Sequence, residues 1–160
     1  MSDDQIISDI IRREGSSSNA AGDKGGRTVE GISEASNPDL FAGGHTPTDA
    51  QVRQRYEDRY IKGPHFDQIA DEQLKSLLVD WGVTSGPAIA IQALQRLVGV
   101  PVDGALGPAT LKAVGQQDPV KLVVKLVAER VKMIGRIVSK NPSQAKFAAG
   151  WLNRAVEWLS

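Results

Sequence analysis

The 160-residue chain contains no cysteine. That excludes disulfides, thiol catalysis and cysteine-ligated zinc, and it leaves the compartment open. Histidine is almost as scarce. His45 and His65 stand beside Gly44 and Pro64 in loop-like stretches, too few for a histidine-rich metal site. No cofactor or metal is called for. No apolar run approaches the roughly 20 residues needed to span a bilayer. The opening residues Met1-Ser2-Asp3-Asp4 are acidic where a secretory signal carries basic ones, so synthesis in the cytoplasm is expected. What remains is an ordinary soluble composition, 41% hydrophobic and 24% charged, long enough to bury a real core.

Net charge is zero, yet its distribution is uneven. Residues 1–84 hold 9 Lys/Arg against 15 Asp/Glu, and residues 85–160 hold 10 against 4. An acidic half joined to a basic half points to chemistry on one side and contact with an anionic partner on the other; a simple drift of charge along the chain is the alternative.

Nearly every segment reads as helix. Ile6, Ile7, Ile10 and Ile11 recur at helical spacing over residues 3–13. Thr48 with Gln51 three residues later is a capping-box signature, and Val52, Tyr56 and Tyr60 then share one face. Leu74, Leu77, Leu78 and Trp81 predict another amphipathic helix. The next starts near Ser85 and ends at Gly99. Pro108, Pro119 and Pro142 mark later helix starts. The longest runs from Pro119 to about Lys140, with Leu122, Val123, Leu126, Val127, Met133, Ile134, Ile137 and Val138 on its apolar side. Lys121, Lys125, Lys132 and Arg136 lie opposite. Only "GRTVEGIS", with Thr28, Val29 and Ile32 among glycines, favours strands. The expected fold is all-α, with at most a small hairpin near residues 26–34.

The segment "REGSSSNAAGDKGGRTVEGIS" places Glu14 where a helical pattern stops and Asp23 beyond eight small or polar residues. Paired carboxyl groups commonly cleave glycosidic bonds, one as the protonated acid and one ionised. Burial raises the pKa of a carboxyl at a helix end, whereas an Asp in a wet turn stays charged. On spacing alone, a solvated or salt-bridged Glu14 and a turn-forming Asp23 are the commoner readings.

The combination "EG…DKGGRTVEGIS" resembles the N-terminal signature of the glycoside hydrolase family 108 muramidases. "YEDRY", "DWGVTSGPAIAIQALQRLVGVPVDGALGPAT" and "NPSQAKFAAGWLNR" are similar to later parts of that family, the last two to its predicted peptidoglycan-binding half. The resemblance implies a lysozyme-like all-α fold. It also implies cleavage of the β-1,4 bond between N-acetylmuramic acid and N-acetylglucosamine. It divides the chain into a catalytic region, 1–84, and a peptidoglycan-binding region, 85–160, expected to pack as one unit. The family's catalytic Glu falls on Glu14, and the order Glu14, Asp23, Thr28 resembles that of phage-type lysozymes. Gly31, Ile32, Tyr60, Trp81 and Ser85 are the candidate substrate-binding residues.

Three positions depart from the family pattern. Gly15-Ser16-Ser17 stands where Gly-Gly-Tyr is usual, Ile61 where an aromatic is common, and Thr84 where Asn is common. They keep the proton donor and alter the residues that would line the sugar groove.

The resemblance implies a phage endolysin or a close bacterial relative, monomeric, reaching the wall by holin-type release. Its partner would be peptidoglycan, with Lys121, Lys125, Lys132 and Arg136 available to an anionic envelope. No nucleic-acid motif is present. A non-catalytic wall-binding protein and a lytic transglycosylase are the competing functions.

Overall fold

In the computed structural model, residues 1–15 and 26–160 are described. They form two compact units, Met1–Gly63 and Pro64–Ser160. The sequence division at 84/85 assigns residues 64–84 to the first region, whereas in the structure they pack within the second unit.

In the first unit, helix α1 spans Asp3–Glu14 and starts at a reciprocal capping box. Ser2 Oγ accepts from the Gln5 amide at 3.2 Å, and Gln5 Oε1 accepts from the Ser2 amide at 2.7 Å. Asp3 and Asp4 sit in the first turn and Arg12 and Arg13 in the last, which suits the helix dipole at both ends. Ile6, Ile7 and Ile10 are buried. The helix stops at Gly15, whose φ of 86° is open to glycine and strained for other residues.

Strands β1 (Thr28–Val29) and β2 (Ile32–Ser33) form a minimal antiparallel hairpin with Thr28 opposite Ser33 and Val29 opposite Ile32. Arg27 fastens this hairpin to the 3₁₀ segment Pro38–Gly44. Its guanidinium donates to both Glu34 oxygens (3.2 and 3.4 Å), to the Phe41 carbonyl at 3.4 Å and to the Gly44 carbonyl at 3.1 Å. It also lies 5.1 Å from the centre of the Phe41 ring.

Helix α2 (Asp49–Glu57) begins at the Thr48–Gln51 capping box and runs into a π-helical turn, Asp58–Lys62. Arg53 on α2 donates to Asp4 and Ser8 of α1, each at 3.0 Å, tying the two helices together. Val52, Tyr56 and Ile61 are fully inside. Ile61, which stands where the family often has an aromatic, is thus a core residue.

The second unit is built from α3 (Glu72–Ser85), α4 (Pro87–Val98), α5 (Pro108–Gly115), α6 (Pro119–Lys140) and α7 (Ala145–Val156). Asp71 and Asp118 cap α3 and α6, and Gly99 ends α4 with φ 75°. Leu74, Leu77, Leu78 and Trp81 are buried, as are Leu122, Val123, Leu126, Val127 and Ile134. Ile137 leaves the core, 38% exposed.

Two polar devices organise this core. Gln95 is buried on α4 and grips the Asp103-Gly104 turn from within. Its Nε2 donates to Asp103 Oδ1 (2.7 Å), Ala105 O (3.0 Å) and Thr110 Oγ1 (3.2 Å). Its Oε1 accepts from the amides of Asp103 (3.1 Å) and Gly104 (2.9 Å). All of its capacity is used, so the turn is structural.

The second device is an ion cluster joining α3, α6 and α7. Buried Asp80 accepts from Arg130 Nη1 at 2.8 Å through one oxygen and from Arg154 Nε at 3.0 Å through the other. Arg130 also donates to Thr84 Oγ1 at 3.1 Å, which gives the unusual Thr84 a structural role. Burial pushes the Asp80 carboxyl up, but the charge of Arg130 and the hydrogen bonds and charge of Arg154 outweigh it, and the net direction is down.

Candidate active site

Glu14 is the last residue of α1, and Gly15 turns the chain away behind it, its amide bonded to the Ile11 carbonyl at 3.2 Å. The Glu14 side chain lies along the β1–β2 turn. A Cβ built on Gly31 would stand 2.8 Å from Glu14 Cβ, 3.1 Å from Glu14 Cγ and 2.5 Å from the Tyr56 hydroxyl. Only a residue without a side chain admits all three groups there, and φ 84° at Gly31 selects glycine a second time.

The turn is itself unusual. Glu30 and Gly31 both have positive φ, 48° and 84°, as in the two-residue hairpin turns that favour Asn-Gly or Asp-Gly. Tyr56, 2% exposed, donates its hydroxyl to the Glu30 carbonyl at 2.9 Å and so holds the turn from α2. One Glu30 carboxylate oxygen is buried without a hydrogen-bond partner among the described residues. Glu34, three residues beyond Gly31, is engaged differently. The Arg27 side-chain hydrogen bond holds its carboxyl below the usual carboxylate range.

Of the predicted site residues, the structure brings Glu14 and Gly31 into contact. Thr28 is half-buried at the start of the same hairpin. Tyr60 is half-buried on the π-helical turn, its ring centre 5.8 Å from that of Tyr56. Asp23, with the departing Ser16 and Ser17, lies outside the described residues.

Two expectations are corrected. Ile32 is 4% exposed, because its side chain points from β2 into the core. It supports the hairpin and offers no surface to a sugar. Trp81 is 1% exposed in the α3 core, with the Arg130 guanidinium 5.9 Å from its ring centre. Ser85 ends α3 in the second unit. Glu14 is an exposed residue, so among the described residues no protein cover encloses it.

The roles of Tyr56 and Glu30 at this turn escaped the sequence reading. Tyr56 registered only as an apolar helix position, since nothing in "YEDRY" reveals which tyrosine reaches the turn. Glu-Gly between two short β-favouring pairs was the available signal for the left-handed pair.

The glycosyl hydrolase 108 family model matches residues 7–86, from the first isoleucine pair of α1 to the end of α3. The chain belongs to the glycosyl hydrolase 108 family. A predicted peptidoglycan domain model matches residues 89–156, from α4 to the end of α7. The boundary between the two matches falls inside the second compact unit, so α3 of the hydrolase match shares a core and the Asp80 cluster with helices of the peptidoglycan match.

The hydrolase is similar in fold to the solved structure of Brucella abortus SagA. TM-score is 0.74 at 24% identity, over 98% of this chain and 90% of that one. No curated protein matches the chain. The fold is the all-α, lysozyme-like one with a two-stranded hairpin, and the protein is a glycoside hydrolase acting on peptidoglycan.

Proposed function

We propose that this peptidoglycan hydrolase is a muramidase cutting the β-1,4 bond between N-acetylmuramic acid and N-acetylglucosamine, with Glu14 as general acid. The observation that carries the reading is the seat of Glu14. It ends a capped helix, its stem packs on Gly31, and Tyr56 fixes the turn beneath it. Such a carboxyl is held at its base on an exposed residue that substrate can reach. Bound glycan would supply the cover that the described residues do not.

In this reading Glu14 protonates the leaving oxygen as the anomeric carbon gains positive charge. Asp23 stays ionised and activates water or stabilises that charge, and Thr28 orients the water through its hydroxyl. The exposed cations Lys121, Lys125, Lys132 and Arg136 favour attraction to anionic envelopes. An endolysin working after holin-type release is the biological role we infer from the resemblance.

The test is mass spectrometry of the products released from purified peptidoglycan. A muramidase leaves reducing N-acetylmuramic acid ends. Anhydro ends would identify a lytic transglycosylase, and no soluble product from folded protein would favour the binding-only alternative.

A further inference from the structure

Helix α7 carries more apolar surface outside than in. Among its residues only Ala155 is buried, whereas Phe147 is 46% exposed. Trp151 and Trp158 are half-buried and Phe147 faces water. Phe147 and Trp151 are four residues apart and therefore share a helix face. Their ring centres are 5.7 Å apart at 33°, and Lys146 Nζ lies 5.0 Å from the centre of the Phe147 ring. Lys146 and Arg154 are the only charged residues between Ala145 and Val156, and Arg154 is committed to Asp80.

We propose that Phe147, Trp151 and Lys146 form a ledge on which a peptidoglycan strand docks. This inference rests on peptidoglycan being the substrate. The C–H face of an N-acetyl sugar is flat and apolar and matches two adjoining rings. The peptide stems of the wall carry carboxylates, and these complement Lys146 and the basic excess of residues 85–160, where 10 Lys/Arg stand against 4 Asp/Glu. The helix lies wholly inside the segment that matches the peptidoglycan domain. The charge complementarity and the adjoining, tilted aromatic rings favour a glycan with anionic stems over a second copy of this chain or a lipid surface.

The full chain and two surface variants, Phe147→Ala and Lys146→Ala, are compared by sedimentation with purified insoluble peptidoglycan and by titration with N-acetylglucosamine oligomers that lack stems. Aromatic contacts of this kind are worth about 2- to 12-fold in affinity. Phe147→Ala is expected to weaken binding to both ligands by roughly that factor. Lys146→Ala should weaken binding to peptidoglycan only, with a flatter salt dependence. Soluble fragments should also shield Trp151 from acrylamide quenching, an effect lost in Trp151→Phe.

Wild-type binding by both variants, with wild-type cleavage intact, would overturn the ledge. So would variants whose defect lies in self-association or in binding to anionic vesicles. If the unaltered chain neither binds nor cleaves peptidoglycan, the substrate reading itself fails, an outcome distinct from failure of the ledge.

Discussion

Glu14 rests on the bare backbone of Gly31: a Cβ at Gly31 would sit 2.8 Å from Glu14 Cβ. The same Cβ would sit 2.5 Å from the hydroxyl of Tyr56, which is bonded to the neighbouring Glu30 carbonyl. A helix end, a left-handed turn and a buried tyrosine thus meet at one point, and the acid is what they hold.

Gly31→Ala forces these groups apart and strains a backbone at φ 84°. We expect a loss of about 1–3 kcal/mol in stability and at least a roughly tenfold fall in kcat as Glu14 moves. Tyr56→Phe keeps the ring and removes the hydroxyl, so it should cost about 1 kcal/mol and lower kcat more than it raises KM. Because Phe also removes the nearest clash, the two substitutions should be less than additive in melting experiments. Full additivity would show that the hydroxyl and Gly31 do not share this space.

Asp80 gives the second unit an acid limit. Its folded pKa lies below the unfolded value, so its contribution is fully present above the unfolded pKa and is lost as pH falls through the folded one. Denaturation curves should therefore show stability declining below about pH 4. Asp80→Asn leaves Arg130 buried and poorly paired and is expected to cost about 3–5 kcal/mol at neutral pH, with a shallower acid decline. An unchanged pH profile in that variant would remove Asp80 as a cause.

Much of this architecture was legible from sequence. Both capping boxes (Ser2–Gln5 is explained after the fact, Thr48–Gln51 was expected), the Gly99 stop and the α6 boundaries follow from local chemistry that needs no tertiary information. The hairpin was visible in eight residues. Arg130 was not, because it interrupts the apolar face of α6 and only Asp80, fifty residues earlier, explains its burial. Trp81 and Ile32 were placed at the substrate because an apolar side chain near a motif looks the same in a groove or a core. Glu14 was singled out by the ordered motifs, whereas the support under it depends on where Tyr56 lands.

The basic face of α6 predicts a salt-dependent attachment. Lys121 has Asp118 at 3.9 Å and Lys132 donates to Glu129 at 2.9 Å, yet all four cations are exposed. Reversing Lys121 and Lys125 to Glu should weaken sedimentation with whole envelopes at low salt. The difference should shrink towards physiological ionic strength, where screening acts over about 8 Å. Cleavage of soluble fragments should change little. Equal binding across the salt range would identify the stripe as an ordinary solvated face.

Asp23 and Thr28 can be separated kinetically. Asp23→Asn should lower turnover strongly while wall binding persists, and Thr28→Ala should be milder. Should Asp23→Asn keep full turnover, Glu30, one of whose oxygens is buried without a hydrogen-bond partner among the described residues, is the next carboxyl to replace, since Glu34 is held by Arg27.

The most direct test is turnover of purified peptidoglycan by Glu14→Gln. The amide preserves size and packing on Gly31 but has no proton to give the leaving oxygen. General acid catalysis is worth about 10²–10⁴-fold, so we predict a fall in kcat of that order with an unchanged melting temperature. A folded Glu14→Gln protein releasing muropeptides at the wild-type rate would contradict the assignment of Glu14 as the acid.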